Sequence, residues 1–194
     1  MQLVSFVSLI GAASLATSQA TTPNGTVTGA MGDAKPIKNN PVGEAWVATF
    51  DGSQGIKGTI TAVGWTVGVN YTIDITGLPE GKGPFNYHVH AKALPPNGTC
   101  ADTGAHLDSY VRGQEPPCTA SLPATCEVGD LSGKYGKVDA PAAKKTFNDP
   151  YSALDKIMLG YIGERAIVFH DASSARIACA NLVKKASDGH GHGH

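Results

Sequence analysis

Apolar residues in this chain come in short bursts, and that limits what it can fold into more than any other feature. "EAWVATF", "GIKGTITAV", "VNYTIDITGL", "FNYHVHAK", "RAIVFHDA" and "ARIACANLV" each have strand length, alternate or run apolar, and are bounded by Gly, Pro, Asn or Asp. No stretch sustains a 3.6-residue apolar period long enough for a substantial helix. With 24 Gly and 12 Pro to supply turns, the expected class is all-β, an antiparallel sandwich or barrel. Two regions stand apart. From Leu94 to about Lys145 the chain reads mostly as loop, far longer than a structural connection requires, and loops of that length tend to carry function. "DPYSALDKIMLGYIG" has room for one or two helical turns with a packing role.

The chain has 194 residues, 41% of them hydrophobic and 16% charged, which suits one soluble domain with a full core. A formal net charge of -1 gives no whole-protein attraction to nucleic acid or to an anionic membrane. Past the N-terminus no apolar run reaches the roughly 18 residues of a membrane-spanning helix. A monomer is the favoured state. Residues 1–20, "MQLVSFVSLIGAASLATSQA", read as a cleaved signal peptide, because the apolar run stops at Ser18-Gln19-Ala20 and polar sequence follows at once. A buried N-terminal strand or helix is the weaker alternative, although the leading residues lack Lys and Arg. Sequons at Asn24, Asn70 and Asn97 agree with a secretory route. Residues 21–40 are Thr-, Gly-, Asn- and Pro-rich and are expected to lead flexibly into the fold. Residues 184–194 end by alternating Gly with His190, His192 and His194. That tail is a weak metal binder, a natural flexible terminus or an expression remnant, and composition does not choose among them.

Four cysteines, Cys100, Cys118, Cys126 and Cys179, form an even set that an oxidising compartment pairs in one of three connectivities. A four-thiolate zinc site is disfavoured, since no close C-x-x-C pair is present. Three of the seven histidines lie in the tail, so the folded part holds only His88, His90, His106 and His170. In an extended segment His88 and His90 share one face while Val89 takes the other. Alone, that pair fits a metal site or two solvated imidazoles equally well. Adding His106 in "CADTGAHLD" and His170 at the end of "RAIVFH" favours one imidazole-rich site, suited to copper, zinc, iron or nickel.

In chain order, "HVH", "GAH", "VGDLSG", "VFHDA" and "SARIACA" resemble the copper-zinc superoxide dismutase family over roughly residues 42 to 183. Within it, the chain is most similar to the fungal extracellular copper-only branch. The resemblance implies an eight-stranded Greek-key sandwich or barrel over residues 41–183, with a long metal-site loop and no electrostatic loop. It also implies a secreted, extracellular or cell-wall enzyme that converts superoxide to oxygen and hydrogen peroxide by Cu(II)/Cu(I) cycling. Carried over position by position, it makes His88, His90, His106 and His170 the copper ligands. Glu127 stands where one zinc histidine would be, "LDSYVRGQEPPC" offers no other, and of the zinc ligands only Asp130 remains, so zinc is not expected. Glu127 would instead hydrogen-bond His106 and set its tautomer, and His106, by family analogy, would release Cu(I) and take up a proton. Arg176 matches the family's active-site arginine and would attract superoxide. The implied disulfides are Cys100–Cys179 and Cys118–Cys126. Without the resemblance, Glu127 reads as a solvated carboxylate, Arg176 as a surface charge and Asp130 as a cap or brace of the loop. A copper-buffering protein and a non-catalytic cell-wall domain are the competing functions; Arg176 beside four intact ligands favours catalysis over both.

Overall fold

The structure is a computed structural model that describes residues 28–186. The proposed signal peptide, Asn24 and the tail histidines lie outside the described residues. Seven strands are present among them: β1 (Ala45–Asp51), β2 (Lys57–Gly64), β3 (Val69–Thr76), β4 (Asn86–Val89), β5 (Ala142–Asp149), β6 (Ala166–His170) and β7 (Arg176–Lys184). They form one sheet in the order β4-β6-β7-β1-β2-β3-β5, with every neighbouring pair antiparallel.

Strict alternation creates the core. In β3, Val69, Tyr71, Ile73 and Ile75 are buried while Thr72, Asp74 and Thr76 face water, and β1 buries Trp46, Ala48 and Phe50 in the same way. Facing strands add Ile60, Tyr87, Val89, Ile167, Phe169 and Leu182, each such side chain contributing about 1.5–3 kcal/mol through the apolar surface it removes from water. All five residues of β6 are buried, because a second small cluster of Ala166, Val168 and Cys179 packs under Leu94 and Cys100 on its other face. That is why β6 lacks the alternation of β1 and β3.

The sheet curls so that its two edges approach. Phe85 and Val138, which lead into β4 and β5, exchange both backbone hydrogen bonds, at 2.8 and 3.1 Å. This single bridge, with the short helix α1 (Leu131–Tyr135) beside it, occupies the place of the eighth strand, so the expected count is corrected to seven. Three further expectations are revised. β5 begins inside the region read as loop, since "AAKKTFND" places two adjacent lysines and two alanines in its first half and carries little apolar signal. "DPYSALDKIMLGYIG" contains no helix; it is held by turns and by a bridge from Ala153 to Tyr161, while Tyr151, Leu154 and Ile162 pack into the core. Residues 28–40 are docked rather than loose: Ala30 and Met31 donate to Val111 and Tyr110, Ile37 donates to Pro150, and buried Asn40 bonds Gly68, Ser152 and Leu154.

Candidate metal centre

Three separate backbones meet at Gly129. Val89 donates to Gly129 (2.9 Å), Gly129 to Leu107 (2.8 Å) and Leu107 to Val89 (2.8 Å). A Cβ on Gly129 would lie 2.2 Å from the Val89 carbonyl oxygen, so only glycine permits this junction. Around it stand His88 and His90 on one segment, His106 on the second, and Glu127 and Asp130 on the third. His90 and His106 are further joined by an antiparallel bridge. His170 arrives at the end of β6, directly across from Asn86 of β4.

One ligand nitrogen from each of His88, His90, His106 and His170 lies within 4.8 Å of all the others. The remaining ring nitrogens are held by the protein. A carbonyl can only accept, so His90 Nδ1 donates to Gly104 O (2.9 Å) and His170 Nδ1 to Ser174 O (3.2 Å). Both Nε2 atoms are thereby left with lone pairs, and they face each other at 3.2 Å. His88 is turned the other way: its Nε2 meets Ser132 Oγ at 3.0 Å and Asp130 Oδ1 at 3.3 Å, while its Nδ1 is buried with no hydrogen-bond partner. His106 Nδ1 donates to Glu127 Oε2 at 2.6 Å. Converging lone pairs and an orphaned buried nitrogen are costly unless a cation satisfies them, so the residues fit a metal that imidazoles bind.

Burial reinforces this. It pushes His90 down to about 3 and His170 down to about 4, and lowers His88 as well, so these rings are neutral and able to ligate at neutral pH. Burial acts to raise Asp130, but hydrogen bonds from His88 and the Gly133 amide outweigh it and keep the carboxyl low. Asp130 also caps α1 through its 2.7 Å bond from Gly133 N. Glu127 is buried, with a 7% exposed side chain, rather than solvated. Glu127 and Asp130 are thus each committed to an imidazole, His106 and His88 respectively.

Arg176 is exposed, yet its guanidinium is fixed. It donates to the carbonyls of Cys100 (2.7 Å), Ala101 (3.2 Å) and Gly104 (2.6 Å) and to Thr103 Oγ1 (3.3 Å). Thr103 Oγ1 and Gly104 O are also the acceptors of His90 Nδ1, so the arginine stands one shared acceptor away from the cluster. The 3₁₀ turn Cys100–Thr103 that presents those carbonyls is bonded to β7 by the Cys100–Cys179 disulfide; Cys118 is bonded to Cys126. β6 and β7 are joined by only Asp171–Ala175, pinched by bonds from Ser173 and Ala175 to Asp171. Thr103, Gly104, Ser132 and Ser174 were invisible as site residues in the sequence, since hydroxyls and carbonyls that orient a ring leave no spacing pattern.

A hollow of about 490 Å³ opens beside His88 and His106, with Arg112, Gln114, Glu127 and Lys137 among its walls. A larger one of about 910 Å³, beside Trp46 and Tyr161, shares none of these residues. Asn97 sits exposed in a turn, and Asn70, on β3, accepts from Asn148.

No family model matches the chain. Individual relatives do. It is 36% identical over 165 residues to cell surface Cu-only superoxide dismutase 5 of Candida albicans, covering 83% of this chain and 70% of that protein. The chain belongs to the cell-surface superoxide dismutases. Against the cell surface Cu-only superoxide dismutase of Arthroderma benhamiae, identity is 35% over 183 residues, covering 78% of this chain and 49% of that protein, so the chain spans about half that relative's length. Other cell-surface superoxide dismutases that it matches are named Cu-Zn. The solved Cu(II) structure of Candida albicans superoxide dismutase 5 superposes with a TM-score of 0.69 at 34% identity, covering 78% of this chain and 97% of that one. The all-β superoxide dismutase fold is therefore shared, with the strand count as described.

Proposed function

We propose that this chain is an extracellular or cell-wall copper-dependent superoxide dismutase that works without zinc. The observation that carries the reading is the convergence of four imidazoles whose other nitrogens are each held by a protein partner or, for His88, turned away to Ser132 and Asp130. His88 through Nδ1, and His90, His106 and His170 through Nε2, would hold the ion. Copper, when bound, supplies one-electron reduction and reoxidation by successive superoxide anions, which zinc cannot do.

The chain's own residues do the rest. Arg176 presents a positive charge whose direction is locked by four acceptors, so it draws the anion toward the histidines without reorganising. His106 is the most exposed of the four rings, and Glu127 keeps its proton on Nδ1, which leaves Nε2 as the atom that can carry a further proton toward the cluster. Thr103 and Gly104 serve His90 and Arg176 together, coupling the ligand's orientation to the steering charge.

Metal analysis combined with superoxide decay tests this. The variant in which His190, His192 and His194 are all alanine should retain about one copper per chain and consume superoxide without zinc. Tight zinc required for activity would overturn the copper-only assignment. Full copper with no turnover would instead make the chain a copper-buffering protein.

A further inference from the structure

A five-residue helix cannot hold itself, yet α1 carries Ser132 and is capped by Asp130, the two partners of His88. Its anchor is a buried ion pair. Lys134 Nζ reaches both carboxylate oxygens of Asp149 on β5, at 3.1 and 3.0 Å, and both side chains are 0% exposed. The same ammonium donates to Val128 O at 2.9 Å, and Val128 lies between Glu127 and the Gly129 junction. Asp149 in turn accepts from Tyr135 OH (2.8 Å) and Ser152 Oγ (2.6 Å). Buried ion pairs contribute little net stability, and apolar residues of similar volume commonly replace them without loss. Stability alone therefore does not explain this one, whereas its placement under residues 127–132 does.

We propose that Lys134 is a positioning residue of the copper site, pinning that segment to β5 so that Glu127 stays on His106 and Asp130 and Ser132 stay on His88. The inference rests on the copper reading above for its role in catalysis. It touches neither the ion nor the substrate; it acts through the carboxylates.

The test compares wild type with Lys134→Met, Asp149→Asn and, as a destabilised control, Ile60→Ala in the β2 core. Solvent exchange of the His106 Nδ1–H is followed by NMR in the metal-free protein, the Cu(II) hyperfine pattern by EPR after loading with Cu(II), and Tm for each. Lys134→Met should speed that exchange about tenfold and alter the hyperfine pattern, while Ile60→Ala lowers Tm and leaves both as in wild type. Wild-type exchange and EPR in Lys134→Met, or the same changes in Ile60→Ala, would overturn the proposal. If Lys134→Met does not fold, Asp149→Asn decides, because it keeps the shape and removes the carboxylate charge that holds Lys134, along with one acceptor shared with Tyr135 and Ser152: roughly threefold faster exchange supports the pin, and unchanged exchange refutes it. Failure of wild type to bind Cu(II) would fall on the copper reading, leaving the metal-free exchange to judge this one.

Discussion

A guanidinium with four acceptors on one side and water on the other can do little except present charge. Arg176→Ala should therefore keep its copper, because arginine is a poor ligand, yet consume superoxide roughly tenfold more slowly and with a flatter dependence on ionic strength. Arg176→Lys should fall between, since lysine keeps the charge and loses the fork. Stopped-flow decay with copper-loaded variants checks both, and an alanine variant with wild-type rate and salt response would reduce Arg176 to a loop brace. At this scale the sequence was unevenly informative. The histidines stand out because imidazole is rare in the folded part and because the HVH spacing forces two onto one face. Glu127 and Arg176 gained meaning only through resemblance, since a lone carboxylate or guanidinium in sequence looks like any solvated charge. Lys134 and Asp149 gave no sign at all: fifteen residues separate them, and only the fold brings a charge so deep.

Elements divide along the same line. Strands with clean alternation or continuous apolar runs were legible, from β1 to β3 and in β6 and β7. β5 was not, because its outward face carries Lys144 and its inward face joins Ala143 and half-buried Lys145 and Phe147 to a buried carboxylate, Asp149, so packing against β3 decides what propensity leaves open. The metal loop is legible as a loop and, through the resemblance, in its two disulfides, but not in the Gly129 junction that completes its bracing. Those braces are unequal. Cys100–Cys179 closes a span of 79 residues and Cys118–Cys126 one of 8; in the chain-entropy account their removal costs roughly 4.5 and 2.5 kcal/mol respectively. Replacing Cys100 and Cys179 by serine should lower Tm more than replacing Cys118 and Cys126, and should also weaken copper binding, because the turn that orients His90 and Arg176 loses its tie to β7. Paired denaturant curves and copper titrations check this; equal losses at the two sites would show that the long span is not the stronger brace.

For the molecule as a whole, buried neutral histidines make stability depend on acidity. His90, pushed down to about 3, and His170, pushed down to about 4, bind protons in the unfolded chain near 6.5 and not in the folded one. The unfolded state therefore takes up more protons as pH falls below about 6.5, and folding stability declines from there through about 4 for His170 and about 3 for His90, while above that range this contribution is fully present. Heat scans of the metal-free protein across that interval should show Tm falling with pH, and His90→Gln should flatten the slope; an unchanged slope would remove His90 as a source of the acid sensitivity. The order of the chain also governs when the centre can exist. β1 pairs with β7, the last strand, and the fourth imidazole arrives 64 residues after the third, at the end of β6. The four-imidazole set is therefore complete only when β6 has paired with β4 and the final hairpin has joined the first strand. The ligand set proposed for copper is thus assembled last, by the same strands that close the fold, and is complete only in a chain whose two ends have already met.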